Sequence, residues 1–315
     1  MLARSSSEAP ILISALTRSY GKRRGIVDVS LAVHEGEIFG FLGPNGAGKT
    51  TTIRVLIGLL RPSAGSAQVF GLDCWSSRSE VKGKVGYLPG ELHLYETMTG
   101  NQFLDFFAGF RPRVPHQRHH ELAQRLDLDL RPKIKHLSKG NRQNLALIQA
   151  LMHDAPLLLL DEPSSGLDPF MQIELLTILQ EERSRGKTIF LSSHVLSEVE
   201  RVADRVGIVR EGRLVTVEEV ERLRQMRERV IEATFHAPVD RDIFSRLDGV
   251  TVMAWEQGDC HVHLRVRGPL PPLLRVLGNL PVDDLTASPP DLESIFMHLY
   301  SEPASSQREL LEVGR

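Results

Sequence analysis

Short apolar runs alternate with longer amphipathic segments along the first two thirds of the chain. The runs are rich in aliphatic and β-branched residues, which favours strands, and apolar residues between them recur at helical spacing. The predicted strands are residues 11–16, 38–42, 85–87, 157–160, 188–192 and 205–209. The predicted helices are residues 51–60, 102–110, 118–126, 141–153, 171–185 and 197–203. This alternation is typical of an α/β fold with helices on both faces of a parallel sheet.

Two parts of the chain depart from the alternation. Residues 99–153 are almost purely helical in pattern, which predicts a helical subdomain inserted into the sheet. Beyond a charged helical segment at 218–229 that resembles a linker, the pattern predicts strand, helix, strand, strand, helix, strand and one added helix. These are residues 230–235, 240–247, 250–256, 260–266, 271–280, 282–287 and 292–299. Their order indicates a small ferredoxin-like α+β domain.

The expected organisation is therefore two domains with flexible ends. No internal repeat is visible, so we expect one α/β core and not two in tandem. The expected segments are a flexible N-terminus at 1–9, the α/β domain at 10–223, an accessory α+β domain at 224–300 and a flexible tail at 301–315.

Composition and charge exclude several classes of protein. Of 315 residues, 41% are hydrophobic and 25% charged, which is ordinary for a globular protein with a buried core. The net charge of −2 gives no electrostatic case for nucleic-acid binding. We expect neither a membrane span nor secretion, since no segment approaches the required apolar length and the first eight residues lack a signal core. Cys74 and Cys260 stand apart from each other, which predicts reduced thiols without a metal.

A glycine-rich segment between a predicted strand and a predicted helix carries the strongest chemical signal. It consists of Gly43, Pro44, Asn45, Gly46, Ala47, Gly48, Lys49, Thr50 and Thr51. The spacing G-x-x-x-x-G-K-[ST] is that of a phosphate-binding loop, in which backbone N–H groups and a helix N-terminus surround one anion. We expect Lys49 to reach the β- and γ-phosphates and the Thr50 hydroxyl to ligate Mg²⁺.

An acidic pair follows the apolar strand at 157–160. Asp161, at the carboxyl end of a parallel strand, is placed to hold Mg²⁺ through a bound water. Glu162 would then face the water that attacks the γ-phosphate. Taken alone, Asp161-Glu162-Pro163 is also typical of an acidic helix cap, but the glycine-rich loop upstream favours the nucleotide site.

Three further segments extend this pattern. One predicted helix opens with a serine N-cap and a second anion-binding N-terminus, formed by Leu137, Ser138, Lys139, Gly140 and Asn141. The turn after the acidic pair contains Ser165, Gly166, Leu167 and Asp168. His194 follows the strand at 188–192. Each segment alone has an ordinary structural explanation, whereas their combination and order favour a nucleotide-hydrolysing site.

On these motifs the chain resembles the ATPase subunits of ATP-binding cassette (ABC) transporters over residues 10–223. The corresponding family elements are the Walker A loop (43–51), the Walker B strand with its catalytic glutamate (157–162), the signature (137–141), the D-loop (165–168) and the switch histidine (His194). Tyr20 lies where family members place an aromatic ring that stacks on adenine, although an aromatic residue at a strand end is also typical of a core.

The resemblance implies a P-loop NTPase fold that binds ATP and Mg²⁺ and hydrolyses ATP with Lys49, Glu162 and His194. It also implies a homodimer in which the signature of one subunit closes on ATP held by the other. Ser138 and its helix N-terminus supply donors for a γ-phosphate, yet the chain's own γ-site is already furnished by Lys49 and Glu162. Two ATP molecules would therefore bind the dimer together, and hydrolysis would release it.

Some positions depart from the family pattern. Lys139 stands where glycine is usual and should point to solvent if the helix cap is kept, and Asn141 replaces the common glutamine. Gly90 stands where the family normally has a glutamine that ligates Mg²⁺ and reports the nucleotide state to the membrane subunit. Either a neighbour such as Glu91 substitutes, or backbone and water carry that coupling. We still expect hydrolysis.

Residues 87–95 and 290–300 are similar to ATPase subunits of bacterial drug and antibiotic self-resistance exporters. That similarity implies a separate multi-helix permease, a peripheral position on the cytoplasmic face of the membrane, and export of a drug-like or hydrophobic compound. Similar ATPases serve exporters of sodium, polysaccharide or lipid-like cargo. The apolar face that is either core or a groove for a permease helix consists of Phe103, Leu104, Phe106, Phe107 and Phe110.

Two other functions stay open at this point. A soluble cassette ATPase of DNA repair or translation is disfavoured by the lack of a long heptad stretch, a second cassette and a basic linker. A regulatory cassette that binds ATP without turnover is motivated by Gly90 and Lys139. The C-terminal domain is either a stabilising or dimerising appendage or a regulatory contact. His116, His119 and His120 lie in a Pro/Arg-rich stretch, which predicts a solvated connection instead of a metal site.

Overall fold

The computed structural model describes residues 9–288 apart from residues 22, 111–116, 226–227 and 257. The chain divides into two compact units after Val220. The predicted tail at 301–315, the predicted helix at 292–299 and all but the last residue of the predicted N-terminal segment lie outside the described residues.

The described residues form fourteen strands and nine α-helices. The strands are β1 (Ile11–Tyr20), β2 (Arg23–Val33), β3 (Ile38–Leu42), β4 (Ala64–Val69), β5 (Leu72–Asp73), β6 (Val85–Leu88), β7 (Leu157–Asp161), β8 (Thr188–Ser193), β9 (Arg205–Arg210), β10 (Arg213–Glu219), β11 (Glu228–Phe235), β12 (Val250–Glu256), β13 (His261–Arg267) and β14 (Val282–Ser288). The helices are α1 (Lys49–Leu56), α2 (Arg78–Gly83), α3 (Gly100–Ala108), α4 (Arg118–Arg125), α5 (Lys139–Leu151), α6 (Pro169–Ser184), α7 (Leu196–Val202), α8 (Val220–Gln225) and α9 (Pro271–Leu277).

A six-stranded sheet in the order β10-β9-β3-β8-β7-β6 forms the centre of the first unit. The strands from β9 to β6 are parallel, and β10 pairs antiparallel at the edge. Both β3 and β7 are buried along their whole length, as expected of parallel strands covered on both faces. The five predicted parallel strands are confirmed. The charged helix predicted at 218–229 is wrong at both ends, because β10 continues to Glu219 and β11 begins at Glu228.

A second, antiparallel sheet in the order β2-β1-β4-β5 lies in the same unit. Its apolar side chains join those of the central sheet and α1 in one core, where Phe190 contacts the rings of Phe39 at 5.6 Å and Phe41 at 5.3 Å between centroids. The sequence predicted only the first half of β1. It missed β2, β4 and β5, since β4 contains few apolar residues and β5 is only two residues long.

The inserted helices α3, α4 and α5 lie in the chain between β6 and β7, which are adjacent parallel strands. Each of α3 and α5 begins with a side-chain cap. The Thr99 hydroxyl accepts from the Gln102 N–H while the Gln102 side chain accepts from the Thr99 N–H, and the Ser138 hydroxyl accepts from the Asn141 N–H. These caps fix where the helices start.

Ion pairs attach α4 to α6. Glu182 of α6 is completely buried and accepts from Arg118 of α4 as well as from Arg185 and Lys187. Arg125 of α4 forms a second, more exposed set with α6, in which its guanidinium donates to Glu174 at 2.6 Å and to Glu181 at 2.5 and 2.9 Å. Hydrogen bonds from Arg125 lower the pKa of Glu181.

Loss of the buried carboxylate should destabilise the first unit far more than loss of its exposed neighbour. We expect Glu182→Ala to lower the free energy of unfolding by about 3–5 kcal/mol, because the largely buried Arg118 and Lys187 would keep only the exposed partners Glu121 and Asp154. Glu181→Ala should cost less than about 1 kcal/mol. Urea unfolding followed by Trp75 fluorescence in a Trp255→Phe background reports the first unit alone. Equal midpoints for the two variants would contradict this assignment.

The second unit contains an antiparallel sheet in the order β12-β13-β11-β14. One face packs on α9 and a core that contains Phe235, Phe244 and Trp255. The helix predicted at 240–247 is wrong: the segment forms only a 3-10 turn at Arg241–Ile243, which the Asp240 side chain caps.

Three remaining expectations concern the thiols, the histidines at 116–120 and the membrane. Cys74 and Cys260 are free, and burial raises the pKa of Cys74 to about 12. His119 lies on α4 and is buried, so the solvated connection predicted there is wrong for this residue. Within the described part of the chain, we find no helix with the length and apolar content to cross a bilayer.

Candidate nucleotide-binding site

The glycine-rich loop joins buried strand β3 to helix α1. Gly46 (φ 81°) and Gly48 (φ 106°) adopt left-handed backbone conformations that favour glycine. A Cβ on Gly48 would lie 2.6 Å from Ile26 Cγ2, so no side chain fits there. Lys49 begins α1, and Thr50 and Thr51 follow in its first turn, where backbone N–H groups have no partner inside the helix. The loop therefore presents the donors that a phosphate group requires.

Lys49 is held at the mouth of this loop. Its side chain is 5% exposed, and Nζ donates to the carbonyl oxygens of Gly43 at 2.5 Å and Pro44 at 3.1 Å. The same ammonium lies 3.0 Å from Glu162 Oε1. The cation is thus fixed between the glycine-rich loop and the end of β7.

Asp161 ends β7 and is completely buried. The Ser192 hydroxyl of β8 donates to Asp161 Oδ1 at 2.6 Å, whereas Oδ2 has no hydrogen-bond partner among the described residues. An unsatisfied buried carboxylate oxygen is costly unless a cation or water completes it. Carboxylate and hydroxyl oxygens are the ligands that Mg²⁺ prefers, so Asp161 and Thr50 fit that ion.

Glu162 is the residue on which the site converges. It has a left-handed backbone (φ 50°), a conformation that costs of order 1–3 kcal/mol in a non-glycine residue. Its N–H donates to the carbonyl oxygen of Ser192 at 3.2 Å and to the Ser192 hydroxyl at 3.1 Å, which holds the backbone in place. Its carboxylate then lies between Lys49 Nζ and His194 Nδ1, 2.6 Å from the imidazole nitrogen.

His194 follows β8 and is half exposed. The turn that carries it is anchored by Glu198 of α7, which accepts from the hydroxyls of Ser164 at 2.7 Å and Ser193 at 3.0 Å. The sequence analysis missed Ser192 and Glu198. The polar pair Ser192-Ser193 at the end of an otherwise apolar strand marks an unusual position but does not indicate these contacts.

The signature residues and the D-loop lie side by side. Leu137 is partly buried and precedes the exposed cap residue Ser138. Lys139 is exposed as expected, and its methylene groups cover Gly166, where a Cβ would lie 3.3 Å from Lys139 Cε. Gln143 of α5, which the sequence analysis also missed, donates to the Pro163 carbonyl oxygen at 3.0 Å.

The D-loop turn leads directly into α6. The Ser165 N–H donates to the Glu162 carbonyl oxygen at 3.1 Å, and Leu167 is buried. Asp168 caps α6 by accepting from the N–H groups of Phe170 at 2.9 Å and Met171 at 3.1 Å.

Ser138 stands apart from the catalytic group. Within the described structure it forms no hydrogen bond with Lys49, Glu162 or His194, which are joined to one another. The structure therefore brings together three of the predicted site residues and leaves the signature serine exposed to solvent.

Tyr20 lies at the end of β1 with 40% of its surface exposed. The Arg18 guanidinium lies over the ring, 5.1 Å from its centroid. A Cβ on Gly25 would lie 3.2 Å from Tyr20 Cδ2, and the Gly25 carbonyl oxygen in turn approaches Gly48. The ring thus lies beside Gly25, which itself neighbours the glycine-rich loop, and is not part of the core.

Gly90 lies directly against Asp161. A Cβ on Gly90 would lie 2.8 Å from Asp161 Oδ2 and 3.1 Å from Cγ, so a glutamine does not fit on this backbone. Glu91 is exposed, and its Oε2 lies 3.5 Å from Arg54 Nη2. Burial raises the pKa of the nearby Tyr87, and the charge of Asp161 raises it further. Of the two alternatives, the structure places backbone beside Asp161 and directs Glu91 to Arg54.

A glycine-rich loop, an acidic strand end and a histidine meet at the carboxyl edge of a parallel sheet. These features define a P-loop nucleotide-binding domain. Comparisons with known proteins identify its family.

Residues 26–165 match the ABC transporter family. An uncharacterised ABC transporter ATP-binding protein of Nostoc is 42% identical over 59% of this chain, and the match covers 57% of that relative, little more than half its length. YhcH of Bacillus subtilis, with the same description, is 38% identical over 65% of this chain and 68% of its own. The bacitracin transport ATP-binding protein BcrA of Bacillus licheniformis is 36% identical over 64% of this chain and 66% of its own.

Solved structures agree with this assignment. An ATP-binding subunit of an ABC transporter superposes with a TM-score of 0.63 and 30% identity over 68% of this chain and 92% of its own. A dimeric bacterial ABC transporter cassette superposes with a TM-score of 0.62 and 21% identity over 67% of this chain and 98% of its own. CbiO1 of Clostridium perfringens is part of the CbiONQ transporter complex. It superposes with a TM-score of 0.58 and 22% identity over 69% of this chain and 90% of its own. The chain belongs to the ATP-binding proteins of ABC transporters and contains the ABC ATPase domain.

Gly90→Ala should weaken the Mg²⁺-dependent part of ATP affinity by about tenfold, or about 1.4 kcal/mol, since its methyl group would meet Asp161 Oδ2. Affinity for ATP in the presence of a chelator should stay the same. Titration calorimetry with and without Mg²⁺ measures both values. Gly83→Ala is the matched control, because a Cβ there meets nothing within 4 Å. An unchanged Mg²⁺ dependence in Gly90→Ala would refute this placement of the metal ligand.

Proposed function

We propose that the chain binds Mg²⁺ and ATP, hydrolyses ATP and powers a separate membrane permease through ATP-driven dimerisation. The observation that carries the proposal is the position of Glu162 between Lys49 and His194, beside the unpartnered oxygen of Asp161. A purely regulatory nucleotide site would not require this complete arrangement of acid, base and cation.

Each residue of the site then has a chemical role. Lys49 neutralises charge on the β- and γ-phosphates, and Thr50 with Asp161 holds Mg²⁺, which supplies further charge neutralisation. Glu162 orients the attacking water and accepts its proton. His194 holds Glu162 and the γ-phosphate in line, so its contribution is one of position and electrostatics. Tyr20 stacks on the adenine.

Dimerisation is supported by what the first unit exposes. Ser138 and its helix N-terminus offer phosphate donors that the chain's own catalytic group does not use. Directly after the D-loop, Phe170 and Ile173 are 79% and 51% exposed. Apolar side chains next to an exposed anion site favour a second copy of the chain as the partner. The signature (Leu137, Ser138, Lys139, Gly140 and Asn141) would thus act in trans.

The permease proposal rests on a surface of α3 and the segment before it. Phe103 and Leu104 are buried, as a core stripe requires, whereas Tyr95, Phe106 and Phe110 are 51%, 42% and 67% exposed. Their rings touch in edge-on pairs, Tyr95–Phe106 at 5.8 Å and Phe106–Phe110 at 5.0 Å. We assign this aromatic surface to a cytoplasmic helix of the permease, which would hold the chain at the cytoplasmic face of the membrane.

We favour a drug-like or hydrophobic compound as the exported cargo. Its support is the likeness to the bacitracin transport protein BcrA together with the exporter-like residues 87–95. The cargo itself is chosen by the permease.

The C-terminal unit is proposed to be a ferredoxin-like appendage that stabilises or regulates the dimer, with the domain limits at 10–223 and 224–300. Strand β13 lies between β11 and β12, and β11 lies between β13 and β14. Each pair of strands joined by a crossover is thus split by a third strand, as in the split βαβ arrangement.

Glu162→Gln should nearly abolish steady-state ATP turnover, because the amide cannot accept a proton from water. The variant should also accumulate an ATP-bound dimer in size-exclusion chromatography, since the γ-phosphate is no longer removed. Glu91→Gln, an exposed carboxylate outside the catalytic group, is the matched control and should retain turnover. The regulatory alternative holds instead if wild type and Glu162→Gln both lack turnover in the presence of the permease.

Mixed dimers test whether each site is shared. Lys49→Ala disables the glycine-rich loop and Ser138→Arg disables the signature, so each homodimer should be inactive. An equal mixture should recover turnover, because the heterodimer has one site with both parts intact. ATPase activity of the mixture against each variant alone measures this. A mixture as inactive as its components would show that the signature does not act in trans.

A further inference from the structure

A cluster of histidine and carboxylate side chains lies on one face of the C-terminal sheet. His261 and His263 are alternate residues of β13, so both project from the same face. Their rings pack edge to face with centroids 4.7 Å apart. Glu232 of neighbouring strand β11 pairs directly with His263, and its Oε1 lies 3.4 Å from His263 Nδ1. The opposite face of these strands, with Val262, is the buried core.

We propose that His261, His263 and Glu232 form a binding site for a divalent transition metal of the zinc type. One ligand atom from each residue lies within 4.8 Å of the others, and all three residues are partly buried. Tetrahedral zinc holds its ligand atoms about 3.4 Å apart, so no separation has to shorten by more than about 1.4 Å, which is within the reach of side-chain rotation. Two imidazoles and a carboxylate are a ligand set that zinc accepts.

The residues around the cluster complete such a site. His261 Nδ1 lies 2.8 Å from the Thr234 hydroxyl, which fixes the ring and leaves Nε2 to bind a metal. On the other neighbouring strand, Glu256 Oε1 lies 3.6 Å from His263 Nε2, the ring nitrogen opposite the one that faces Glu232, so it is a neighbour of the ring and not a fourth ligand. The hydrogen bond between Thr234 and His261 distinguishes the cluster from ordinary surface pairs of histidine and glutamate.

Metal binding would tie two adjacent strands together. Glu232 lies on β11 and the two histidines lie on β13. Because the site exists only when these strands are paired, the metal would stabilise the folded C-terminal unit. As possible metal ligands, only His116, His119 and His120 were considered from the sequence. The signal it overlooked is the His-Val-His alternation within a strand.

The test is metal binding by the full chain, purified without a polyhistidine tag and stripped with a chelator. Calorimetric titration with Zn²⁺ should give one tight site per chain, with Kd in the micromolar range or below. Binding of Co²⁺ should give the intense visible absorption of a tetrahedral site. His261→Ala and His263→Ala should abolish both signals. Thr234→Val, which keeps every ligand, should weaken binding by about tenfold.

His236→Ala is the matched control. His236 belongs to the same unit but lies outside the cluster, 3.3 Å from Asp283, so its loss should leave zinc affinity unchanged. Unfolding followed by Trp255 fluorescence in a Trp75→Phe background should shift to higher temperature with Zn²⁺ and return with chelator. The proposal fails if no zinc binds, if binding persists without His261 and His263, or if His236→Ala loses it equally. Thr234→Val keeps the test decisive should the alanine variants unfold.

Discussion

The contact of Glu162 with Lys49 and His194 is the constraint on which the site of the first unit depends. Lys49 follows the loop between β3 and α1, Glu162 follows the end of β7, and His194 follows the end of β8. Three separate parts of the sequence must therefore end at the same edge in the same register. Parallel pairing of β3, β7 and β8 achieves this, because their carboxyl ends lie together.

A serine hydroxyl maintains that geometry. Ser192 donates to Asp161 and also receives the Glu162 N–H, so one side chain orients both members of the acidic pair. Glu162 has a left-handed backbone, and its carboxylate faces Lys49 and His194. The two neighbouring acids thus have different partners, a buried serine hydroxyl for Asp161 and the lysine and histidine for Glu162. The strain in the Glu162 backbone is offset by the hydrogen bonds that its N–H donates to Ser192 of the buried strand β8.

Much of this arrangement follows from local sequence rules, and the remainder does not. The glycine-rich loop and buried strands were predictable because their spacing and continuous apolar runs have one structural solution. The partners Ser192, Gln143 and Glu198 were not, since their roles arise only when distant segments meet. Strand β4 was missed because its pairing with β1, and not its own composition, makes it a strand. Strand β2 was predictable, since apolar and polar or small residues alternate over 27–33. The 3-10 turn at Arg241–Ile243 replaced a predicted helix because the Asp240 cap favours a tight turn.

The ion pairs between α4 and α6 have a mechanical consequence. Asp168 starts α6 at the D-loop, while Arg118 and Arg125 grip the same helix along its side. A rigid rod of 16 residues, about 24 Å long, therefore connects the inserted helices to that turn. A displacement of the inserted helices would therefore be transmitted through α6 to the D-loop turn. High ionic strength would loosen the grip of Arg125 first, because its partners are the more exposed.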